Sequence, residues 1–229
     1  MHVFKSVELD GLCKLSGLAL LALGLSIGLS KPAAAELTSA ELVEALQTGG
    51  NVVYMRHTRT EKGQEDLDHT NLANCETQRN LSAEGRDQAR VIAEAIASLR
   101  IDFEAVLTSP YCRARDTATL AFGGGENTDA LRYLSHQPEN ERPGSIEAIT
   151  RMLSTPPQNG GNTVLVSHTE NLKQAAGIWP KDSGEMHVFK PQGNGSYEHL
   201  GKIGPEEWAG LADSLGTNSD RTCIWVLCW

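Results

Sequence analysis

The sequence predicts an α/β protein with a mostly parallel sheet flanked by helices on both faces, and three observations carry that reading. Short apolar runs alternate with segments whose apolar residues recur at the helical spacing, the pattern of strands returned to one sheet by crossover helices. The runs Val52-Val53-Tyr54-Met55, Ala105-Val106-Leu107 and Thr163-Val164-Leu165-Val166 are continuously apolar, as strands covered on both sides must be. Each stops abruptly at polar residues, and in open α/β sheets the carboxyl edge of the strands is where ligands bind.

Taken in order, Thr38-Ser39-Ala40-Glu41 is a capping box that opens a helix through Leu42, Val43, Ala45 and Leu46, and Gly49-Gly50 closes it. The strand 52–55 follows and ends at Arg56-His57. Residues 58–80 are polar and read as a long loop, a length that points to function in a compact domain. Ser82 then caps a helix whose Ala89, Ile92, Ala93, Ile96 and Leu99 keep the helical period. The next strand, 105–107, is expected to be buried and runs into Thr108-Ser109-Pro110. A helix over 113–121 stops at Gly123-Gly124-Gly125. Leu131-Tyr133-Leu134 reads as a strand, 146–153 as a helix, and Pro156-Pro157 with Gly160-Gly161 as a turn. After the strand 163–166 come Ser167-His168, a helix around 172–178, strands near 187–189 and 197–200, and a helix over 205–215.

Residues 1–35 have the form of a cleaved leader. Lys5 and Lys14 precede an apolar and small-residue stretch over 15–30, and Ala33-Ala34-Ala35-Glu36 offers a cleavage site after Ala35. The stretch is short for a membrane span of ~20 residues, and no second hydrophobic segment exists, so no integral membrane segment is expected after cleavage. Cys13 lacks the setting of a lipoprotein site. The expectation is a single domain over 36–229, periplasmic or secreted. Composition is ordinary, with 40% apolar and 21% charged residues, which excludes collagen, coiled coil and disorder. Lys+Arg 20 against Asp+Glu 29 gives a net charge of -9 with no basic run, which argues against a nucleic-acid partner. The sequence leaves the oligomeric state open.

Cys75, Cys112, Cys223 and Cys228 remain after cleavage, an even number that permits three pairings in an oxidising compartment. An extended Cys223-Ile-Trp-Val-Leu-Cys228 separates its sulfurs by about 16 Å at ~3.3 Å per residue, beyond disulfide reach. Cys75 with Cys112 is the favoured pair.

Arg56-His57, Ser109 with Arg113, and His168 follow equivalent strand ends. Two histidines and two arginines converging there make a cationic pocket for a compact oxyanion, and the rigid guanidinium fork suits phosphate. The order and spacing of these residues resemble the histidine phosphatase superfamily, the phosphoglycerate-mutase-like fold. Its Arg-His-Gly stands here as Arg56-His57-Thr58, and its Leu-Ser-x-x-Gly-x-x-Gln-Ala helix start as Leu81 to Ala89. Its Ser-Pro-x-x-Arg-Ala-x-x-Thr-Ala stands as Ser109 to Ala118, and its second histidine motif as Val164-Leu165-Val166-Ser167-His168.

The resemblance implies a phosphomonoester hydrolase with a small phosphorylated substrate. His57 is the implied nucleophile that becomes phosphohistidine, and Arg56, Arg113 and His168 hold the phosphoryl oxygens. No metal and no cofactor are expected. Thr58 departs from the small residue usual after the nucleophile. For the acid that protonates the leaving group, Glu170 in His168-Thr169-Glu170 is the candidate, with Glu139, Glu141 or no acid at all as alternatives, and Glu170 is equally suited to a helix N-terminus. Arg59 is not carried into the site. The competing reading is a non-catalytic phosphate-ligand binding protein of the same fold.

Overall fold

The computed structural model describes residues 35–224, with side chains through residue 216. The expected leader, apart from Ala35, lies outside the described residues, as do the side chains of Cys223 and Cys228 that the spacing argument concerned. One six-stranded sheet forms the middle layer in the order β3-β2-β4-β1-β5-β6. Its strands are β1 (Val52–Arg56), β2 (Phe103–Thr108), β3 (Glu126–Asn127), β4 (Asn162–Ser167), β5 (Met186–Gly193) and β6 (Ser196–Ile203). The pairs β1 with β4, β2 with β4 and β2 with β3 are parallel, whereas β1 with β5 and β5 with β6 are antiparallel. The mostly parallel sheet is therefore observed, with an antiparallel hairpin completing one side.

The helices are α1 (Ser39–Thr48), α2 (Ala83–Ser98), α3 (Cys112–Phe122), α4 (Arg142–Ser154), α5 (Thr169–Ala176) and α6 (Trp208–Ile224). Val53 and Met55 of β1 face one core with Leu42 and Leu46 of α1, Ile92 and Ile96 of α2, Ala118 of α3 and Trp208 of α6. Val52 and Tyr54, the alternate residues, face a second core with Ile149 and Leu153 of α4 and Leu172 of α5. Period-two alternation thus sends one apolar run into two cores, and this is why β1 shows no polar face in the sequence. The α1 capping box is formed as expected, with Thr38 and Glu41 exchanging side-chain and backbone bonds.

Three local expectations are corrected. Leu131-Tyr133-Leu134 forms no strand: residues 129–131 and 134–136 are single 3-10 turns, and the strand of this region is the two-residue β3. Leu131 and Leu134 are buried from turns, so an apolar pair three apart mimicked strand alternation around Tyr133. β2, expected to be buried, is only half-buried over Phe103 to Leu107 and buried at Thr108. α4 starts at Arg142, with Pro143 in its first turn, where a missing N–H costs nothing.

Candidate active site

Register brings the two histidines together. In the parallel pair β1 and β4, Arg56 lies opposite Ser167, so the next residues, His57 and His168, emerge side by side. The His57 N–H donates to the Ser167 carbonyl at 3.0 Å, and the two rings meet edge-on with centroids 5.4 Å apart. Thr108 of β2 pairs with Val166, and this delivers Ser109 to the same edge, where its Oγ is hydrogen-bonded to His168 Nε2 at 2.8 Å. Arg113 then projects from the first turn of α3.

His57 Nδ1 lies 2.8 Å from the Thr58 carbonyl oxygen. A carbonyl only accepts, so Nδ1 carries the hydrogen and Nε2 is left with its lone pair. Both histidines are buried, and burial first, then the Arg113 charge, holds each well below the ordinary imidazole range. His57 is therefore a neutral imidazole with its Nε2 lone pair available. Thr58, the departure from the resembled motif, is buried, and its N–H and hydroxyl both donate to Thr117 Oγ at 3.1 Å, while Thr117 donates to the Arg113 carbonyl at 2.7 Å. The extra hydroxyl links the residue after His57 to the helix carrying Arg113.

The Arg113 side chain is fully buried. Its Nη1 donates to Asp66 Oδ1 at 2.9 Å, while Nε and Nη2 are buried without partners, leaving one edge of the fork free for two oxyanion oxygens. Arg56 is held by Nη1 donating to the carbonyls of Lys181 at 2.8 Å and Pro180 at 3.4 Å, and its Nε is likewise unpartnered.

Two contributors escaped sequence reasoning, Asp66 and Arg79, both from the loop 58–80. The Arg79 charge acts on His57, His168, Arg113 and Arg56 alike, and its Nε is buried and unpartnered. Asp66 accepts from Arg113 and from the Arg79 N–H. No periodicity marks them. The available signal was the cysteine pair: the Cys75–Cys112 disulfide, with Cα atoms 5.7 Å apart, ties this loop to the turn before Arg113. Tyr111, Tyr133 and His136 complete the wall, with the Tyr133 ring 5.0 Å from that of His168 and the Tyr111 ring 4.5 Å from the Arg113 guanidinium carbon.

The segment after His57 is clamped onto α2. Ser82 N–H donates to the Arg59 carbonyl, and the Arg59 N–H donates to Gln88. A Cβ on Gly85 would stand 1.9 Å from that same carbonyl oxygen, so glycine is required for the approach. Arg59 itself pairs with Glu206 on the surface. Glu170 lies in the first turn of α5 with its carboxylate accepting from Gln174 at 2.6 Å. Glu139 and Glu141 are exposed near the start of α4. Neither His57 nor His168 is hydrogen-bonded to a carboxylate among the described residues.

A family model described as "Histidine phosphatase superfamily (branch 1)" matches residues 52–132. Among solved structures, the protein histidine phosphatase SixA complexed with tungstate is similar at 16% identity and a TM-score of 0.50, covering 69% of this chain and 98% of that one. A candidate alpha-ribazole-5'-P phosphatase from Escherichia coli is similar at 16% identity and a TM-score of 0.51, with the same coverage. No curated protein matches the chain.

Proposed function

We propose, on the match of residues 52–132 to the histidine phosphatase superfamily, that the chain is a phosphatase of that type, an exported phosphomonoester hydrolase acting on a small phosphorylated substrate through a phosphohistidine on His57. The observation that carries this is the free Nε/Nη2 edge of buried Arg113 beside a neutral His57 whose Nε2 is unprotonated.

Phosphoryl transfer spreads charge over three equatorial oxygens, so fixed cations and an in-line nucleophile do most of the work. Arg113, Arg56 and His168 hold those oxygens, and Arg79 adds its charge to the same place. His57 Nε2 attacks phosphorus, the bond to the ester oxygen breaks, and that oxygen leaves with a proton from the acid, assigned to Glu170. Water then attacks the phosphohistidine, its proton returns to the acid, and inorganic phosphate departs with Nε2 restored. For Glu170 to serve, its carboxylate exchanges the Gln174 bond for the leaving oxygen. Export is supported by the leader-like residues 1–35 and by the disulfide.

Incubation with a labelled phosphomonoester, quenched early, is expected to leave acid-labile, base-stable label that is absent from His57→Ala, and the mature protein is expected to begin at Glu36. The absence of a carboxylate bond to either histidine favours the second reading, a phosphate binder without turnover. That reading requires phosphate binding with no label and no hydrolysis.

A further inference from the structure

Arg56 reaches the site on a flexible stem, so something must hold its guanidinium. Its Nη1 donates to two carbonyls, those of Pro180 and Lys181, in an irregular segment with no helix or strand to set their positions. Side-chain bonds hold this segment instead. The Lys181 N–H donates to Glu185 Oε1 at 3.2 Å, which closes a turn over residues 181–185. Gly184 stands in that turn at φ 87°, a region L side chains avoid. Its N–H donates to the carbonyls of Arg56 and His57, both at 3.1 Å, and the Arg56 N–H donates to the Glu185 carbonyl at 3.1 Å. The turn thus holds both the backbone and the guanidinium of the Arg56-His57 pair.

Glu185 is 1% exposed, and a carboxylate so buried is costly unless every oxygen is satisfied. Oε1 accepts from His187 Nε2 at 2.9 Å as well as from Lys181, and Oε2 accepts from Lys202 Nζ at 2.8 Å. His187 is backed by His199, Nδ1 to Nε2 at 3.2 Å, across the β5–β6 hairpin. Because β5 pairs antiparallel with β1, the residue before β5 arrives at the carboxyl end of β1, where the nucleophile is.

We infer that Glu185 is a positioning residue of the active site, which orients Arg56 toward the phosphoryl group through the carbonyls of residues 180 and 181. This rests on the phosphatase reading. Glu185 touches no substrate, and its influence on phosphate passes through Arg56.

The test is a double-mutant cycle read by calorimetric titration with inorganic phosphate. Glu185→Gln keeps the shape but places an amide donor against existing donors, so phosphate affinity should fall about tenfold, the size expected for losing one hydrogen bond to a charged group. Lys202→Gln, whose side chain is 44% exposed, removes one donor from the network and should weaken phosphate roughly threefold. In an Arg56→Ala background both substitutions should change the affinity by less than about twofold. Losses of equal size in the two backgrounds, or a folded Glu185→Gln that binds phosphate like the wild type, overturn the inference. If Glu185→Gln does not fold, Lys202→Gln decides by the same criteria. A wild-type protein that binds no phosphate overturns the phosphatase reading instead, and this inference with it.

Discussion

The Nδ1 of His57 stands 2.8 Å from the carbonyl oxygen of Thr58, its own neighbour in the chain. This contact fixes the tautomer without any side chain from elsewhere, and burial with the Arg113 charge keeps the ring neutral. His168, His136 and His187 are also held below the ordinary range, each by burial first, His136 down to about 4. The unfolded chain takes up these protons near pH ~6.5 while the folded protein does not. Stability is therefore full above that pH and lost as pH falls through it. Melting temperature should decline from pH 7.5 to pH 5, with a shallower decline in His57→Ala and His168→Ala.

Thr117 joins Thr58 to the Arg113 carbonyl. Thr117→Val leaves the buried Thr58 N–H and hydroxyl without their acceptor. The expected cost is about 1–3 kcal/mol in denaturant unfolding, with a fall in kcat from looser placement of His57 against Arg113.

Arg113 and Asp66 form a buried pair, with side chains 0% and 7% exposed. Arg113→Ala strands the carboxylate and should cost about 3–5 kcal/mol of stability together with phosphate binding. Arg113→Lys can meet Asp66 but not offer two parallel donors to phosphate, so it should recover stability more than activity. Equal recovery of both would count against the fork.

The disulfide closes a loop between residues 37 apart in sequence that contains Arg79 and ends one residue before Arg113. Cys75→Ser with Cys112→Ser should lower stability by about 2–4 kcal/mol. Because the bond also anchors the 58–80 segment that carries Asp66 and Arg79, KM should rise more than kcat falls. Non-reducing peptide mapping of the purified protein should recover the linked peptides, and free thiols at both positions would reject the bond.

Glu170 accepts from Gln174 in the first turn of α5. As the leaving-group acid its loss should cost ~10²–10⁴-fold where the leaving oxygen is basic. Glu170→Gln should slow an alkyl phosphate far more than an activated aryl phosphate while phosphohistidine still forms. Equal small losses on both would leave Glu170 a helix-terminal residue and move the search to Glu139 and Glu141.

The extent to which this molecule is legible in its sequence follows from where its information is local. Apolar runs such as 52–55 and 163–166, the Thr38–Glu41 box and the Ser82 cap report on neighbours a few residues away, so those strands and helices can be read directly. His57, Arg113 and His168 could be read as one site because each follows a strand end, and parallel register places strand ends at one edge. The turns at 129–136 could not, since Leu131, buried there, answers to a core whose other half lies far along the chain.

The sequence by itself determined five of the sheet's six strands, the strand-end histidines and arginines, and the favoured cysteine pair. Only the tertiary structure decided that Asp66 and Arg79 fold back from a polar loop onto Arg113, that Thr58 faces Thr117, and that Glu185 fastens the turn holding Arg56. Those relationships join residues from 13 to 125 positions apart or close an irregular turn, and all depend on side-chain geometry in a buried setting. A charged or hydroxylated residue in a loop looks the same in sequence whether water or a guanidinium faces it, and burial chooses between them.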